Sequence, residues 1–310
     1  MPRPARLQAP SASPEPRPVA GSPEPSGPAA PNAEMAGKAA AENFPVALRM
    51  LPRRYRDHLM AVYAYARTVD DAGDEGPPDQ RPGLLGGLEE DLRRLYARAG
   101  QPEGERPHDP AVRGLAGVVT DCHIPMQPFR DLIEANKQDQ VVTRYETFDE
   151  LLGYCTLSAN PVGQLVLYVF GSYTSERAAL SDSVCSGLQV VEHLQDVGED
   201  FRAGRVYLPA EDLRAYGVTD ADLAASSASP GLRRLIRCEA DRASALISSG
   251  APLVRQLHGA ARIAVAGYLA GGRAAIAAIA AADYDVLAAT RKPGKGRTIR
   301  ELVSVLARGR

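Results

Sequence analysis

The sequence predicts an all-helical protein, and three observations support that prediction. Apolar residues recur at steps of three and four along most of the chain after residue 40, which is the period of one helix face. The alternation of apolar and polar residues that marks a half-buried strand is nearly absent. Glycine, proline and charged residues separate the apolar runs, as loops between helices do. With 310 residues, 45% of them hydrophobic, the chain can bury a sizeable core.

The first 40 residues differ from this helical pattern. They contain 10 of the 25 prolines and no aromatic residue. A segment of this composition cannot bury enough apolar surface to offset the entropy lost when it becomes ordered. We therefore expect a disordered proline- and alanine-rich tail over 1–40, one helical domain over 41–290, and a short basic segment over 291–310.

Within the domain, the first predicted helix runs toward an acidic end. Leu59, Val62 and Val69 share one apolar face, and Gly76 begins a turn that ends the run. Further helices are predicted over 84–95, 111–122, 127–137, 148–170, 178–200, 209–216, 231–249, 252–258 and 260–282. Loops are expected over 101–110 and 293–297, where glycine, proline and charge accumulate.

Composition excludes several classes of function. The formal net charge of −2 gives no overall basic field for nucleic acid. The four cysteines show no CxxC pair, which favours reduced thiols in the cytoplasm over a disulfide framework. The most apolar stretch, 260–282, is interrupted by Arg262 and Arg273. We therefore expect it to be a buried or packed helix and not a membrane span, which needs about 20 apolar residues. Contact with a membrane interface is the lesser alternative for this stretch.

Two acidic clusters of the same form lie on predicted helices. Asp70 and Asp74 are four residues apart, and Asp196 and Asp200 repeat that spacing much later in the chain. Carboxylates at this spacing leave the same helix face, where they repel each other unless a cation lies between them. Carboxylate oxygens suit Mg²⁺, which is commonly shared with substrate phosphate groups. A solvated acidic face explains one such motif well, but it explains two copies poorly.

Several neighbours could complete a site around these clusters. Arg67 lies one turn before Asp70 and Arg205 follows the second cluster, so both could contact phosphate oxygens. Glu192 extends the second acidic stripe by one turn, either as a third metal ligand or as an inert, salt-bridged acid. His193 lies about 100° around the helix from Glu192, and we expect it to be a packing or surface residue and not a catalytic base. Tyr65 points away from the acidic face and is expected to pack in the core.

Longer stretches around these clusters, over 43–52, 63–74, 154–163 and 193–209, resemble the squalene and phytoene synthase family. The resemblance implies a single-domain, all-α isoprenoid synthase-type helical bundle with a central cavity. It also implies roles for individual side chains. Asp70, Asp74, Asp196 and Asp200 would hold magnesium, Arg67, Gln189 and Arg205 would contact the diphosphate, and Tyr63 and Tyr154 would line the cavity. Glu192 departs from the asparagine that is common in the family at this position.

Two details resemble the branch of the family that makes hydroxysqualene for hopanoids: the segment 42–47 and Gln195 before Asp196. This resemblance implies a lyase-type reaction of presqualene diphosphate with water, with Mg²⁺ and without NADPH. One alternative is transferase chemistry, the head-to-head condensation of two farnesyl or geranylgeranyl diphosphates. Another is a non-catalytic assembly protein on the same fold. An isoprenoid substrate also suggests transient contact with a membrane surface and with other enzymes of the squalene pathway.

Overall fold

The computed structural model describes residues 51–100, 103–288 and 295–308. Over these ranges the chain forms thirteen helices and no strand, so the predicted all-helical class is confirmed. The helices are α1 (Arg53–Asp74), α2 (Arg81–Gly100), α3 (Pro110–Cys122), α4 (Gln127–Gln138), α5 (Phe148–Ser158), α6 (Asn160–Val169), α7 (Ser175–Arg202), α8 (Ala210–Tyr216), α9 (Asp220–Leu223), α10 (Pro230–Gly250), α11 (Leu253–Gln256), α12 (Gly259–Ala281) and α13 (Lys295–Arg308). The predicted tail over 1–40 and the motif over 42–47 lie outside the described residues.

Two predictions about helix boundaries were wrong, and one short helix was missed. The single helix predicted over 148–170 is two helices, because the proline at position 161 has no N–H to continue the hydrogen-bond ladder of α5. The short helix α9 was not predicted. The loop predicted over 293–297 is already helical at Lys295, where α13 begins.

Helix α1 forms because its apolar residues make a continuous stripe. Leu59, Val62 and Val69 are buried against α2, α3 and α4, as the sequence predicted. The side chain of Arg81 donates hydrogen bonds to the backbone oxygens of Asp74 and Gly76. Arg81 thereby satisfies carbonyl groups that the end of α1 leaves without partners.

The buried apolar residues form two clusters, one around α1 and a second one with the long helix α7 at its centre. Helix α7 crosses α10 closely at Gly187, where a Cβ atom would lie 2.8 Å from a side-chain carbon of Ile247. A residue larger than glycine would push the two helices apart at this crossing. The close approach fixes the direction of α7 and therefore the position of its acidic C-terminal end.

The chain reverses direction immediately after α7. Gly204 adopts φ +85°, and its N–H donates to the backbone oxygen of Phe201, while the N–H of Arg205 donates to that of Asp200. This pair of bonds is the Schellman motif, which favours glycine at the left-handed position. The following residue, Val206, then pairs with Thr143 of the segment before α5. The turn and the pairing fix the position of the Arg205 backbone.

Helix α12 is the only described helix that is long and apolar enough to cross a membrane. However, 56% of its most apolar window is buried inside the protein. It packs against α7, α10, α11 and α13. The prediction of a packed core helix over 260–282 agrees with these contacts.

Candidate active site

The first acidic cluster lies at the C-terminal end of α1, beside α4. Oδ1 of Asp70 accepts a hydrogen bond of 3.2 Å from Nδ2 of Asn136. Although the Asp70 side chain is accessible to solvent, crowding by protein atoms raises its pKa to about 6, against the opposing effects of Asn136 and Arg67. A nearby cation would remove this penalty on the charged carboxylate.

The described ion pairs of Arg67 lie within the first acidic motif. Its Nε lies 2.8 Å from Oδ1 of Asp71, and its Nη2 lies 3.3 Å from Oε1 of Glu75. Tyr63, one turn earlier on the same face, is 8% exposed. The roles expected for Arg67 and Tyr63 toward a substrate therefore stay predictions. Tyr65 packs at right angles to Phe129, so its expected core position is confirmed.

The second acidic cluster occupies the last two turns of α7. Burial and the neighbouring Asp196 raise the pKa of Asp200 to about 7, and Arg205 opposes that shift. Glu192 is exposed on the same helix, and its role as a metal ligand stays a prediction. Gln189, predicted to contact the diphosphate, has its side-chain nitrogen 3.3 Å from Nε2 of His193.

Arg205 joins the two clusters. Its Nη1 donates a hydrogen bond of 2.7 Å to Oδ1 of Asp74, across 131 positions of sequence. Its Nε is buried and has no hydrogen-bond partner within the described part of the chain. An unpaired buried N–H is costly, and an anionic oxygen would satisfy it. The fold thus brings the ends of α1 and α7 to one place and leaves a donor there for an anion.

Asp139, at the end of α4, is a site residue that the sequence analysis missed. Its carboxylate accepts hydrogen bonds from the hydroxyl groups of Tyr154, at 2.6 Å, and Tyr207, at 3.1 Å. Burial raises the pKa of Asp139 to about 6, although both tyrosines and Arg205 oppose the shift. Tyr154, predicted to line the cavity, is therefore held by a half-buried acid that interacts with Asp74 of the first cluster and Asp200 of the second.

A sequence signal for the contribution of α4 existed. Phe129, Leu132, Ile133 and Asn136 follow the spacing of one helix face, so the polar Asn136 stands at an apolar position. A buried amide needs hydrogen-bond partners, and Asn136 finds them in Asp70 and the backbone oxygen of Leu132. No comparable signal marks Asp139, because its tyrosine partners come from distant segments.

His193 packs against the site without carrying charge. Its ring stacks on Tyr207 with centroids 3.8 Å apart and 12° between the planes. Burial, with Arg205 nearby, lowers the pKa of His193 to about 3, so the ring is neutral near pH 7. The 4.0 Å approach of Nδ1 to Asp200 is therefore not an ion pair at that pH. Of the packing and surface positions expected for His193, the structure shows the packing one.

A small pocket opens beside Asp200 and Arg205. His193 and Tyr207 line one part of it, and Leu208 contributes an apolar wall. Apart from its open mouth, the space inside the pocket is only about that of one water molecule. It is a small recess beside Arg205 and not a formed substrate cavity.

The donor set fits Mg²⁺ better than a softer metal. In the ranges described, no three acidic, histidine or cysteine residues already stand in metal-binding geometry. The candidate ligands at the site are carboxylates. The raised pKa values of Asp70 and Asp200 mean that their charged forms are disfavoured, and a bound cation would stabilise those forms. Mg²⁺ typically takes one or two carboxylates and completes its shell with water and substrate phosphate oxygens. These residues fit such a shared ion.

Known proteins resemble this chain along most of its length. The family model described as squalene/phytoene synthase matches residues 38–298. Hydroxysqualene synthase of Rhodopseudomonas palustris is 36% identical over 219 residues, which cover 70% of this chain and 71% of the relative. Phytoene synthase of Mycobacterium bovis is 32% identical over 224 residues, 71% of each chain. A crystal structure described as squalene synthase HpnC from Alicyclobacillus acidocaldarius is 41% identical, with a TM-score of 0.71, and covers 81% of this chain and 96% of that one.

Proposed function

This chain belongs to the squalene and phytoene synthase family, and from that membership we propose that it converts presqualene diphosphate and water into hydroxysqualene and diphosphate. The hydrogen bond from Arg205 to Asp74 is the observation that carries the proposal, because it brings both acidic helix ends to one site. The hydroxysqualene synthase of R. palustris, at 36% identity, supports this choice of reaction. Gln195 before Asp196 is a further resemblance to that branch.

We assign the diphosphate end of the substrate to the acidic site. Asp70, Asp74, Asp196 and Asp200 are the proposed magnesium ligands, with Glu192 as an added one. When bound, Mg²⁺ neutralises charge on the diphosphate. Arg205 would donate its buried Nε–H to a diphosphate oxygen, and Arg67 and Gln189 would contact the remaining oxygens. For Arg67 this requires exchange of an ion pair in its own motif.

The proposed reaction needs no reductant. The carbon–oxygen bond of presqualene diphosphate breaks, and its electron pair leaves on the diphosphate. Water adds to the resulting carbocation, and the released diphosphate accepts the proton that the water loses. Carbon, hydrogen and oxygen balance without hydride transfer, so NADPH is not expected. Tyr63 and Tyr154 would face the carbocation with their rings, an attraction of about 0.5–2 kcal/mol per ring.

The alternative reaction within the family is head-to-head condensation of two farnesyl or geranylgeranyl diphosphates. The phytoene synthase of M. bovis, at 32% identity, keeps this alternative open. A non-catalytic assembly protein on the same fold would be expected to have lost its acidic motifs, and both are intact here. We favour an enzyme of the cytoplasm that uses an isoprenoid diphosphate and meets the membrane only at its surface.

Product analysis separates these possibilities. Purified full-length protein would be incubated with Mg²⁺ and, in separate reactions, presqualene diphosphate, farnesyl diphosphate or geranylgeranyl diphosphate, each with and without NADPH. We expect hydroxysqualene from presqualene diphosphate, in the same amount with and without NADPH. Presqualene diphosphate or squalene from farnesyl diphosphate, or phytoene from geranylgeranyl diphosphate, would support the condensation alternative. Absence of any product from all three substrates would support the non-catalytic alternative.

A further inference from the structure

The C-terminal helix α13 has a wider apolar face than its partner helix covers. It packs against α12, where Val305 is buried and Leu302 and Leu306 are partly buried. The side chain of Arg262 in α12 also donates a hydrogen bond of 3.2 Å to the backbone oxygen of Leu306. These contacts hold α13 on the domain through one part of its apolar surface.

The other part of the apolar surface faces solvent. Ile299 is 61% exposed and Val303 is 62% exposed. Because residues four apart lie on the same side of a helix, Ile299, Val303 and the exposed Ala307 form one strip along α13. We call these three residues the outer strip. Single exposed apolar residues are common on protein surfaces, but adjacent ones form a patch that can mark an interaction site. Ile299 and Val303 are adjacent in this sense, because they lie one turn apart.

Basic residues accompany the outer strip. The segment 291–310 contains seven lysines and arginines and a single acid, Glu301, although the whole chain has a net charge of −2. Arg300 is exposed and lies about 100° around the helix from Ile299. A basic residue therefore borders the outer strip, within a segment whose net charge is positive.

We propose that α13 docks this protein on an anionic membrane surface. The outer strip would enter the boundary between head groups and acyl chains, and Arg300 would meet lipid phosphates, as in amphipathic helices that lie in the membrane plane. The charge of the segment favours lipid over a second copy of this chain. Pairing two α13 helices across a twofold axis would place like charges together. This docking does not depend on which reaction the active site carries out.

Vesicle sedimentation tests the docking directly. Full-length protein would be mixed with phosphatidylcholine vesicles that contain or lack phosphatidylglycerol. We expect binding to the anionic vesicles, and weaker binding when salt is raised. The double variant Ile299→Ser and Val303→Ser should lower the apparent binding constant for anionic vesicles by at least about tenfold. The reason is that the two aliphatic side chains are no longer available to transfer from water into the lipid. Arg300→Glu should also weaken binding.

The control is Val141→Ser, which removes an aliphatic side chain that is 80% exposed in the turn after α4. It should bind vesicles as the wild type does. All variants should keep the wild-type Tm, because the changed side chains lie at the surface. Three results would overturn the proposal: no binding of the wild type to anionic vesicles, an equal loss in Val141→Ser, or a change of oligomeric state in the double variant with vesicle binding intact.

Discussion

Nη1 of Arg205 lies 2.7 Å from Oδ1 of Asp74, and this contact ties the turn after α7 to the last residue of α1. The turn is set by the left-handed Gly204 and by the pairing of Val206 with Thr143. Local backbone structure thus places one cation between two acidic helix ends that are far apart in the sequence. An enzyme of this family would use such an arrangement to bind a diphosphate together with metal ions.

Replacing Arg205→Met should lower kcat/KM by about 10²–10³-fold, the usual effect of removing a donor that stabilises developing negative charge. Arg205→Lys should recover little of this loss, because lysine cannot match the forked geometry of the guanidinium group. The matched control is Arg144→Met, which removes an exposed, bidentate pair with Asp220. That variant should stay close to wild-type activity. Equal losses in both variants would contradict the assignment of Arg205.

Gly73→Ala should damage the first acidic cluster through α4. A Cβ atom at Gly73 would overlap the side-chain oxygen of Asn136. Asn136 would have to move, and Asp70 would lose its amide donor. We expect kcat to fall by at least about tenfold, because a similar loss of activity is usual when a residue that hydrogen-bonds to a metal ligand is disturbed. Gly153→Ala is the control, since a Cβ there meets nothing within 4 Å. Wild-type turnover by Gly73→Ala would show that the contact is unimportant.

Asp139→Asn should lower kcat by about 10–100-fold with little change in KM, because the amide cannot accept from both tyrosines as the carboxylate does. The expected cause is loss of the fixed orientation of Tyr154. Steady-state kinetics with presqualene diphosphate would measure the effect. Asp182→Asn provides the comparison, since Asp182 is also half-buried in contact with one amide side chain. If the two variants lose equal activity, Asp139 has no special part in positioning Tyr154.

Binding of Mg²⁺ should strengthen as pH rises. Without metal, the pKa values of Asp70 and Asp200 are raised to about 6 and about 7, above the ordinary value of 3.8. At about pH 5.5 both carboxyl groups are largely protonated, and Mg²⁺ must displace these protons to bind. For each displaced proton, the affinity for Mg²⁺ falls about tenfold for every pH unit below the pKa. The same shifts mean that the metal-free fold loses stability as pH rises from about 4 to about 7.

Thermal unfolding with and without Mg²⁺ and pyrophosphate would measure both effects. We expect the ligands to raise Tm more at about pH 8 than at about pH 5.5. The variant Asp70→Asn should show a smaller difference between the two pH values. An identical rise in Tm at both pH values for the wild type would contradict the pKa shifts on which this expectation depends.

Much of the fold follows from local patterns in the sequence. The buried faces of α1 and α7, and their acidic ends, repeat at helical spacing, so periodicity was enough to predict them. The break between α5 and α6 could have been foreseen from the proline at position 161. Helix α13 was missed because the proline, glycines and basic residues at 293–297 predicted a loop. The apolar spacing that follows them was therefore not interpreted as a helix.

The site was only partly predictable, because its remaining members act across long distances in sequence. Nothing near Asp139 indicates that Tyr154 and Tyr207 will donate to it. Likewise, the motif around Arg205 suggested an anion-binding role but not the contact with Asp74. Such pairings depend on how the helices pack, and packing is not encoded in the period of any single segment.

The most direct test of the central claim is the Mg²⁺-dependent binding of pyrophosphate, measured by calorimetry in the wild type, Asp70→Asn, Asp196→Asn and the double variant. If both acidic helices hold one metal-bound diphosphate, each single variant should lose about as much binding free energy as the double variant, since residues that share a ligand are not additive. Wild-type binding by either single variant, or independent losses that add in the double variant, would contradict a single shared site.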